Sequence, residues 1–235
     1  MAALVLPICG GHGRQRLIKW WCAKLLRCFN IQLTVSGHPP VASSQHVLFV
    51  ANHVSWADIH ALNSLIPVRF VAKLEIKDWP VFGYLVKKSG TIFINRTRQR
   101  DAARVLKVVT QAIKLGDNLC VFPEGTTTDG QQVLPFKSSL IQSAIDAQAT
   151  VIPFAIHYPL PDGKPNLDAA YAGDTSMIAS MQAFLSMQTP RVHLHFCTPI
   201  AADRFDRQAL ATYTRTEIIA ALPWPSEVAV PSQQA

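Results

Sequence analysis

The feature that most constrains this chain is an alternation. Seven short runs rich in Val, Ile, Leu and Phe recur along it: Gln32 to Ser36, Val47 to Ala51, Arg69 to Ala72, Thr91 to Asn95, Asn118 to Phe122, Val151 to His157 and Arg191 to Cys197. Runs of this length and β-branched content read as strands, and several of the intervals between them have helical periodicity. Such alternation predicts an α/β fold, a sheet covered by helices on both faces. The clearest helix is Arg100 to Leu115, with Ala102, Leu106, Val109 and Ile113 on one face and Gly116 placed to stop it. Ser138 to Gln148 and Asp203 to Leu222 are two more, the second with Asp203 as its expected N-cap. No Pro/Gly/Ser-rich linker divides the 235 residues and no internal repeat is present, so the strands and helices are read as a single domain.

Ahead of the first strand the pattern differs. From Arg14 to Phe29, Ile18, Trp21, Cys22, Leu25, Cys28 and Phe29 fall on one helical face, and Arg16, Lys19 and Arg27 fall on the other. Paired tryptophans beside cations suit the headgroup layer of a bilayer, where rings bury their bodies and Lys or Arg meets anionic lipid. The competing expectation is a helix packed on the core with an ordinary solvated face. The expected division is therefore residues 1–35 as an amphipathic membrane-associating segment, 36–222 as the main domain and 223–235 as a flexible tail.

Composition narrows the function classes. Hydrophobic residues make up 49% of the chain and charged ones only 16%, yet no apolar run approaches the roughly 18 residues of a spanning helix. Residues 1 to 9 lack the basic start and cleavage site of a signal peptide. The formal net charge of +7 favours an anionic partner. Without a basic tail, zinc-finger spacing or an RNA-recognition signature, nucleic acid is not expected. Five scattered cysteines, with no Cys-x-x-Cys, predict neither a disulfide framework nor a zinc site.

The polar groups that follow the strands suggest chemistry. After Val47 to Ala51 comes Asn52-His53-Val54-Ser55-Trp56-Ala57-Asp58. On a regular helix a His and an Asp five residues apart diverge. With His53 on the loop and Asp58 on the helix behind it, the carboxylate can bind one ring nitrogen and leave the other free to take a proton. The bland alternative makes Ser55 an N-cap, Asp58 part of a capping box and His53 a loop residue. Gly90 to Arg96 delivers a guanidinium at the end of an apolar run, where its fork can grip a phosphate. Phe122-Pro123-Glu124-Gly125-Thr126-Thr127-Thr128-Asp129-Gly130 follows another strand, and its amides and hydroxyls can form an anion-binding nest. There Glu124 is expected to orient Arg96 or to hold the loop, since like charges repel. Pro153, inside Val151 to His157, is expected at a strand start or bulge.

Taken in order, His53-x-x-x-x-Asp58, Gly90 to Arg96, Phe122-Pro123-Glu124-Gly125-Thr126 and Val151-Ile152-Pro153 resemble the motifs of the glycerophospholipid acyltransferase family, especially bacterial lysophosphatidic acid acyltransferases. The likeness covers roughly residues 35 to 200. It implies that His53 is the base and Asp58 its partner. It implies too that Arg96, Glu124, Gly125, Thr126 and Thr127 belong to the acceptor site, and that Val151-Ile152-Pro153 shapes the acyl-donor region. The expected partners are a lysophospholipid acceptor, acyl-CoA or acyl-carrier protein as donor, and an anionic membrane surface. No metal or redox cofactor is expected, because an acyl thioester is already activated. The expected location is peripheral or monotopic on the cytoplasmic face of a membrane. Thr127 stands where many members have Arg, which keeps another lysolipid, such as a lyso-amino-acid (ornithine) lipid, open as acceptor. Two rivals come from other classes: a metal-dependent hydrolase using His46, His53, Asp58 and His60, and a catalytically silent lipid-binding protein.

Overall fold

Every residue of the strand Val47–Ala51 is buried, so it must have partners at both edges and cover on both faces. The computed structural model, which describes residues 11–41, 44–79, 82–95 and 99–224, supplies both. In chain order the elements are α1 (Gly11–Cys28), β1 (Gln32–Gly37), β2 (Val47–Ala51), α2 (Ala57–Leu65), β3 (Arg69–Lys73), α3 (Phe82–Lys88), β4 (Ile92–Ile94) and α4 (Gln99–Lys114). Then come β5 (Leu119–Val121), α5 (Gln142–Asp146), β6 (Thr150–His157), α6 (Met177–Ser186), β7 (Arg191–Phe196), β8 (Ile200–Ala201) and α7 (Arg207–Ala221).

The sheet has the order β1-β7-β6-β2-β5-β3-β4, with β8 also paired to β6. It is mixed: β6 runs antiparallel to β7 and β8, and the other pairs are parallel. Central β2 lies between β5 and β6 in parallel register, Phe49 opposite Cys120 on one side and Ile152 on the other. The C-terminal ends of β2, β3, β4, β5 and β6 therefore share one edge, the place where open α/β sheets gather ligands.

Two apolar clusters flank the sheet. One joins Phe49, Phe154 and Phe196 to Leu26 of α1, Phe29 just past its end, Leu62 of α2 and Phe184 of α6. The other joins Leu48, Val50 and Val151 to Val105, Val109 and Ile113 of α4 and Leu210 and Ile218 of α7. These faces realise the sheet between helices read from the alternation.

Several local readings change. The last helix is capped by Asp206, whose Oδ1 accepts from the N–H groups of Gln208 and Ala209 at 2.8 Å each. Asp203 instead falls in a 3-10 turn, Ala202–Arg204, where the chain is still leaving β8. The helix expected over 138–148 shrinks to α5, and α3, α6 and β8 were not anticipated. On α1 the buried face is Ile18, Cys22 and Leu26, continued by Phe29 just past its end, while Cys28 is exposed. Leu26 replaces it because the helix turns that residue towards α2 and the sheet.

Pro153 is at neither a start nor a bulge; it sits inside β6, opposite Val50. Its missing N–H falls on the other edge, where pairing to β8 ends at Val151 and pairing to β7 begins at Phe154. No ladder hydrogen bond is lost there. Gly116 ends α4 with φ +96°, and the N–H of Asp117 returns to the carbonyl of Ala112 at 3.0 Å. β1 crosses the boundary drawn at residue 35. The tail from residue 225 lies outside the described residues, whereas Trp224 packs on the body by donating its ring N–H to the Gly130 carbonyl at 3.1 Å.

Candidate active site

The turn after β2 begins with a side chain that continues the sheet. Asn52 donates its amide to the Ile156 carbonyl at 2.9 Å and accepts the Ile156 N–H at 2.8 Å, tying the ends of β2 and β6 together. The chain then turns into α2, and Asp58, fully buried in its first turn, reaches back. Its Oδ2 accepts from the backbone N–H groups of Val54 at 2.8 Å and Ser55 at 2.9 Å, and meets His53 Nδ1 at 2.8 Å. An oxygen that already takes two N–H bonds is an acceptor, so Nδ1 carries the ring proton. Nε2 is then the unprotonated nitrogen, and no described residue bonds it. Ser55 is not the N-cap: Trp56 occupies that position, and the Ser55 hydroxyl is buried beside the Tyr158 phenol.

The His53 ring lies flat on Phe122, with centroids 3.9 Å apart and planes 6° apart, and Phe122 stacks on Phe70 at 5.9 Å.

Glu124 faces inward. Its Oε1 accepts the His53 backbone N–H at 2.7 Å and its Oε2 accepts the Leu134 N–H at 2.9 Å. Leu134 is held in turn by Arg215 of α7, which donates to the carbonyls of Val133 and Leu134. Burial pushes the Glu124 carboxyl up from 4.5 to about 7, against the pull of the two N–H donors and Arg215. Of the two roles expected for Glu124, this geometry is the one that holds the loop. The loop is tied further by the Thr128 N–H to the His53 carbonyl at 2.9 Å. Gly125 takes φ +78°, a left-handed conformation that suits glycine.

A cavity of about 930 Å³ opens beside the imidazole. His53, Phe122, Gly125, Thr126 and Thr127 line it at the sheet edge, and Leu17, Ile18, Trp21, Cys22 and Leu25 of α1 form another wall. The rest is mostly apolar, from α2, the β3 region, α3 and α6. The backbone N–H groups of Thr126 and Thr127 have no acceptor among the described residues, while the Thr127 hydroxyl donates to the Tyr171 carbonyl. His60 also lines the cavity, with its Nδ1 3.5 Å from the Cys22 sulfur, and burial lowers it to about 4.

The structure thus brings together His53, Asp58, Glu124, Gly125, Thr126 and Thr127. Arg96 lies outside the described residues. Val151, Ile152 and Pro153 do not line the cavity; they are interior β6 residues, and Lys137 is exposed. His46 Nδ1 pairs with the Ile113 carbonyl at 2.8 Å, away from His53 and His60. Among the described residues no three His, Cys, Asp or Glu side chains are grouped to hold a metal ion. Sequence reasoning missed Tyr158, whose hydroxyl donates to Asp58 Oδ1 at 2.6 Å. Its place straight after β6 was the only signal.

Comparison with known proteins defines the class. Residues 32–157 match the family model described as Acyltransferase, and the chain belongs to this family. It is therefore an enzyme of acyl transfer. A lyso-ornithine lipid O-acyltransferase of Pseudomonas aeruginosa is 37% identical over 209 residues, covering 89% of this chain and 79% of the relative. A 1-acyl-sn-glycerol-3-phosphate acyltransferase of Neisseria meningitidis serogroup B is 38% identical over 207 residues, covering 88% and 80%. The crystal structure of the 1-acyl-sn-glycerophosphate (LPA) acyltransferase PlsC from Thermotoga maritima matches with a TM-score of 0.66 at 20% identity. It covers 88% of this chain and 77% of that one, a likeness of fold.

Proposed function

We propose that the protein moves a fatty acyl group from an acyl thioester, acyl-CoA or acyl-carrier protein, to the free hydroxyl of a lysophospholipid. Lysophosphatidic acid is the first acceptor. The observation that carries this reading is an imidazole with Asp58 on Nδ1 and an unprotonated Nε2, set at the wall of a large, mainly apolar cavity.

The acceptor oxygen attacks the thioester carbonyl as Nε2 takes its proton, because an alcohol is far too weak an acid to ionise first. The imidazolium is stabilised by Asp58. The tetrahedral intermediate collapses, the C–S bond breaks, and the sulfur leaves with the proton returned by Nε2. The products are an ester and a free thiol, and His53 is neutral again. The amides of Thr126 and Thr127, which have no acceptor among the described residues, are donors available to an anionic group, and Arg96 is a phosphate ligand in this reading.

A lyso-ornithine lipid is the second acceptor reading, favoured by Thr127: its hydroxyl is spent on the Tyr171 carbonyl, where many family members offer a guanidinium. The membrane is the expected source of both lipids. No described helix is long and apolar enough to cross it. Helix α1 instead exposes Trp20 with Arg16, Lys19, Lys24 and Arg27, while Trp21, itself partly exposed, and the face beside it wall the cavity. Lying at the interface, α1 would pass substrate chains from the lipid directly into the site.

The test is thiol release from acyl-CoA or acyl-carrier protein with a panel of lysolipids, the products identified by mass. Diacyl product from lysophosphatidic acid is the expected result. Product only from lyso-ornithine lipid selects the second reading, and no product from any acceptor rejects both.

A further inference from the structure

We propose that Tyr158 is a positioning residue of the acyl transfer: its hydroxyl locks the Asp58 carboxylate in the one orientation that presents Oδ2 to His53. The proposal rests on the reaction put forward above and adds a member to its machinery.

The two oxygens of Asp58 are not alike. Oδ2 serves Val54 N–H, Ser55 N–H and His53 Nδ1, all within five residues of it in sequence. Oδ1 has a single donor, the Tyr158 hydroxyl at 2.6 Å, one hundred residues away. The terminal torsion of a carboxylate is broad and roughly two-fold, so local donors alone do not fix it tightly. A short bond on the second oxygen does. With both ends held, the charge behind the imidazole neither swings nor swaps oxygens as the ring gains and returns a proton.

The phenol is itself held from several directions. Asn52 clamps the N–H and carbonyl of Ile156, so the end of β6 is fixed to the strand that leads into His53. The Tyr158 carbonyl accepts from Asn166 N–H at 2.7 Å, and its ring meets Phe184 edge-on at 6.0 Å. Burial and the charge of Asp58 drive the phenol well above its usual range, so the group stays a donor at any working pH. A tyrosine placed only for packing would have no need to direct its hydroxyl at a buried carboxylate.

Tyr158→Phe removes the hydroxyl and keeps the ring, and cooperative unfolding is measured first to show that the fold is retained. Expected is a fall in kcat of about tenfold, the scale of one hydrogen bond to a charged group, with both KM values within about twofold. In an Asp58→Asn background the same change is expected to cost less than about twofold, since the group it acts through is gone. Equal losses in the two backgrounds, an unaltered kcat, or a loss confined to KM would overturn the proposal.

A second readout needs no turnover. The ring Nδ1 proton of His53, assigned by its loss in His53→Ala, is expected as a sharp downfield resonance in the wild type and a broadened or absent one in Tyr158→Phe. An unchanged resonance overturns the positioning role. If the wild type acylates nothing while the resonance responds as expected, the reaction is misread and the lock on Asp58 stands.

Discussion

The helix that follows the turn after β2 and the loop after β5 each contain a buried carboxylate, and the two are used in opposite ways. Asp58 holds a side chain, the His53 ring, and draws three of its four donors from residues 53 to 55. Glu124 holds main chain, the N–H groups of His53 and Leu134, 71 and ten residues away. The first sets which ring nitrogen bears the proton. The second sets where the ring's backbone stands relative to the Gly125–Thr127 loop. Damage to the first is therefore expected in the chemical step, and damage to the second in the stability and pH response of the rim.

The sharpest break in this contrast is at His53 itself. His53→Ala removes the base while leaving the backbone that Glu124 holds, and thiol release is expected to fall by about 10³-fold or more with an intact cooperative unfolding transition. Normal turnover would exclude His53 as the base. Asp58→Asn comes next, with an expected loss of about 10²-fold, mainly in kcat. An amide oxygen still accepts the local N–H groups but cannot neutralise the imidazolium. A change confined to KM would move Asp58 out of the chemical step.

Glu124→Gln tests the other carboxylate through pH. Its carboxyl lies near 7 in the fold and 4.5 in its ordinary state. Between those values the folded protein holds more protons than the unfolded chain, so the wild type's contribution from this group is fully present below 4.5 and is lost as pH rises through 7. Relative to Glu124→Gln, wild-type unfolding free energy is expected to decline by about 3 kcal/mol across that window in urea titrations. A constant difference between the two proteins would show that the N–H donors offset burial, and a difference that grows with pH that they outweigh it.

The smallest expected effect lies farthest from both carboxylates. Trp20 is 54% exposed on α1, and Trp20→Ala is expected to weaken sedimentation with anionic vesicles by a few-fold while leaving turnover of a short-chain, dispersed acceptor unchanged. Equal vesicle binding would leave α1 as a cavity wall only. Substitution is the cleaner probe than removal of the helix, because Leu26 and Phe29 belong to the core.

Much of the fold was legible because strand runs and helix stops are local. The seven strands were found within a residue or two, and Gly116 ended α4 as its position demanded. Readings that depended on packing were the ones that moved. The choice between Cys28 and Leu26 on α1 rests on where α2 lies, and Asp206 caps α7 because the chain makes a further turn after β8. Pro153 escaped the usual rule because a change of neighbouring strand, invisible along the chain, asks no N–H of it there, although its carbonyl still accepts from Cys197 N–H at 2.9 Å.

The sequence by itself determined the α/β alternation and the order of the loops at the strand ends, and it made the His53–Asp58 pairing one of two open readings, which the structure settled. Only the tertiary structure decided that Glu124 turns inward, that Phe122 underlies the imidazole, that α1 walls the cavity and that Tyr158 holds the far oxygen of Asp58. The physical reason is separation along the chain: those contacts join segments tens to a hundred residues apart, and sheet order and register, not local spacing, bring them within hydrogen-bond reach.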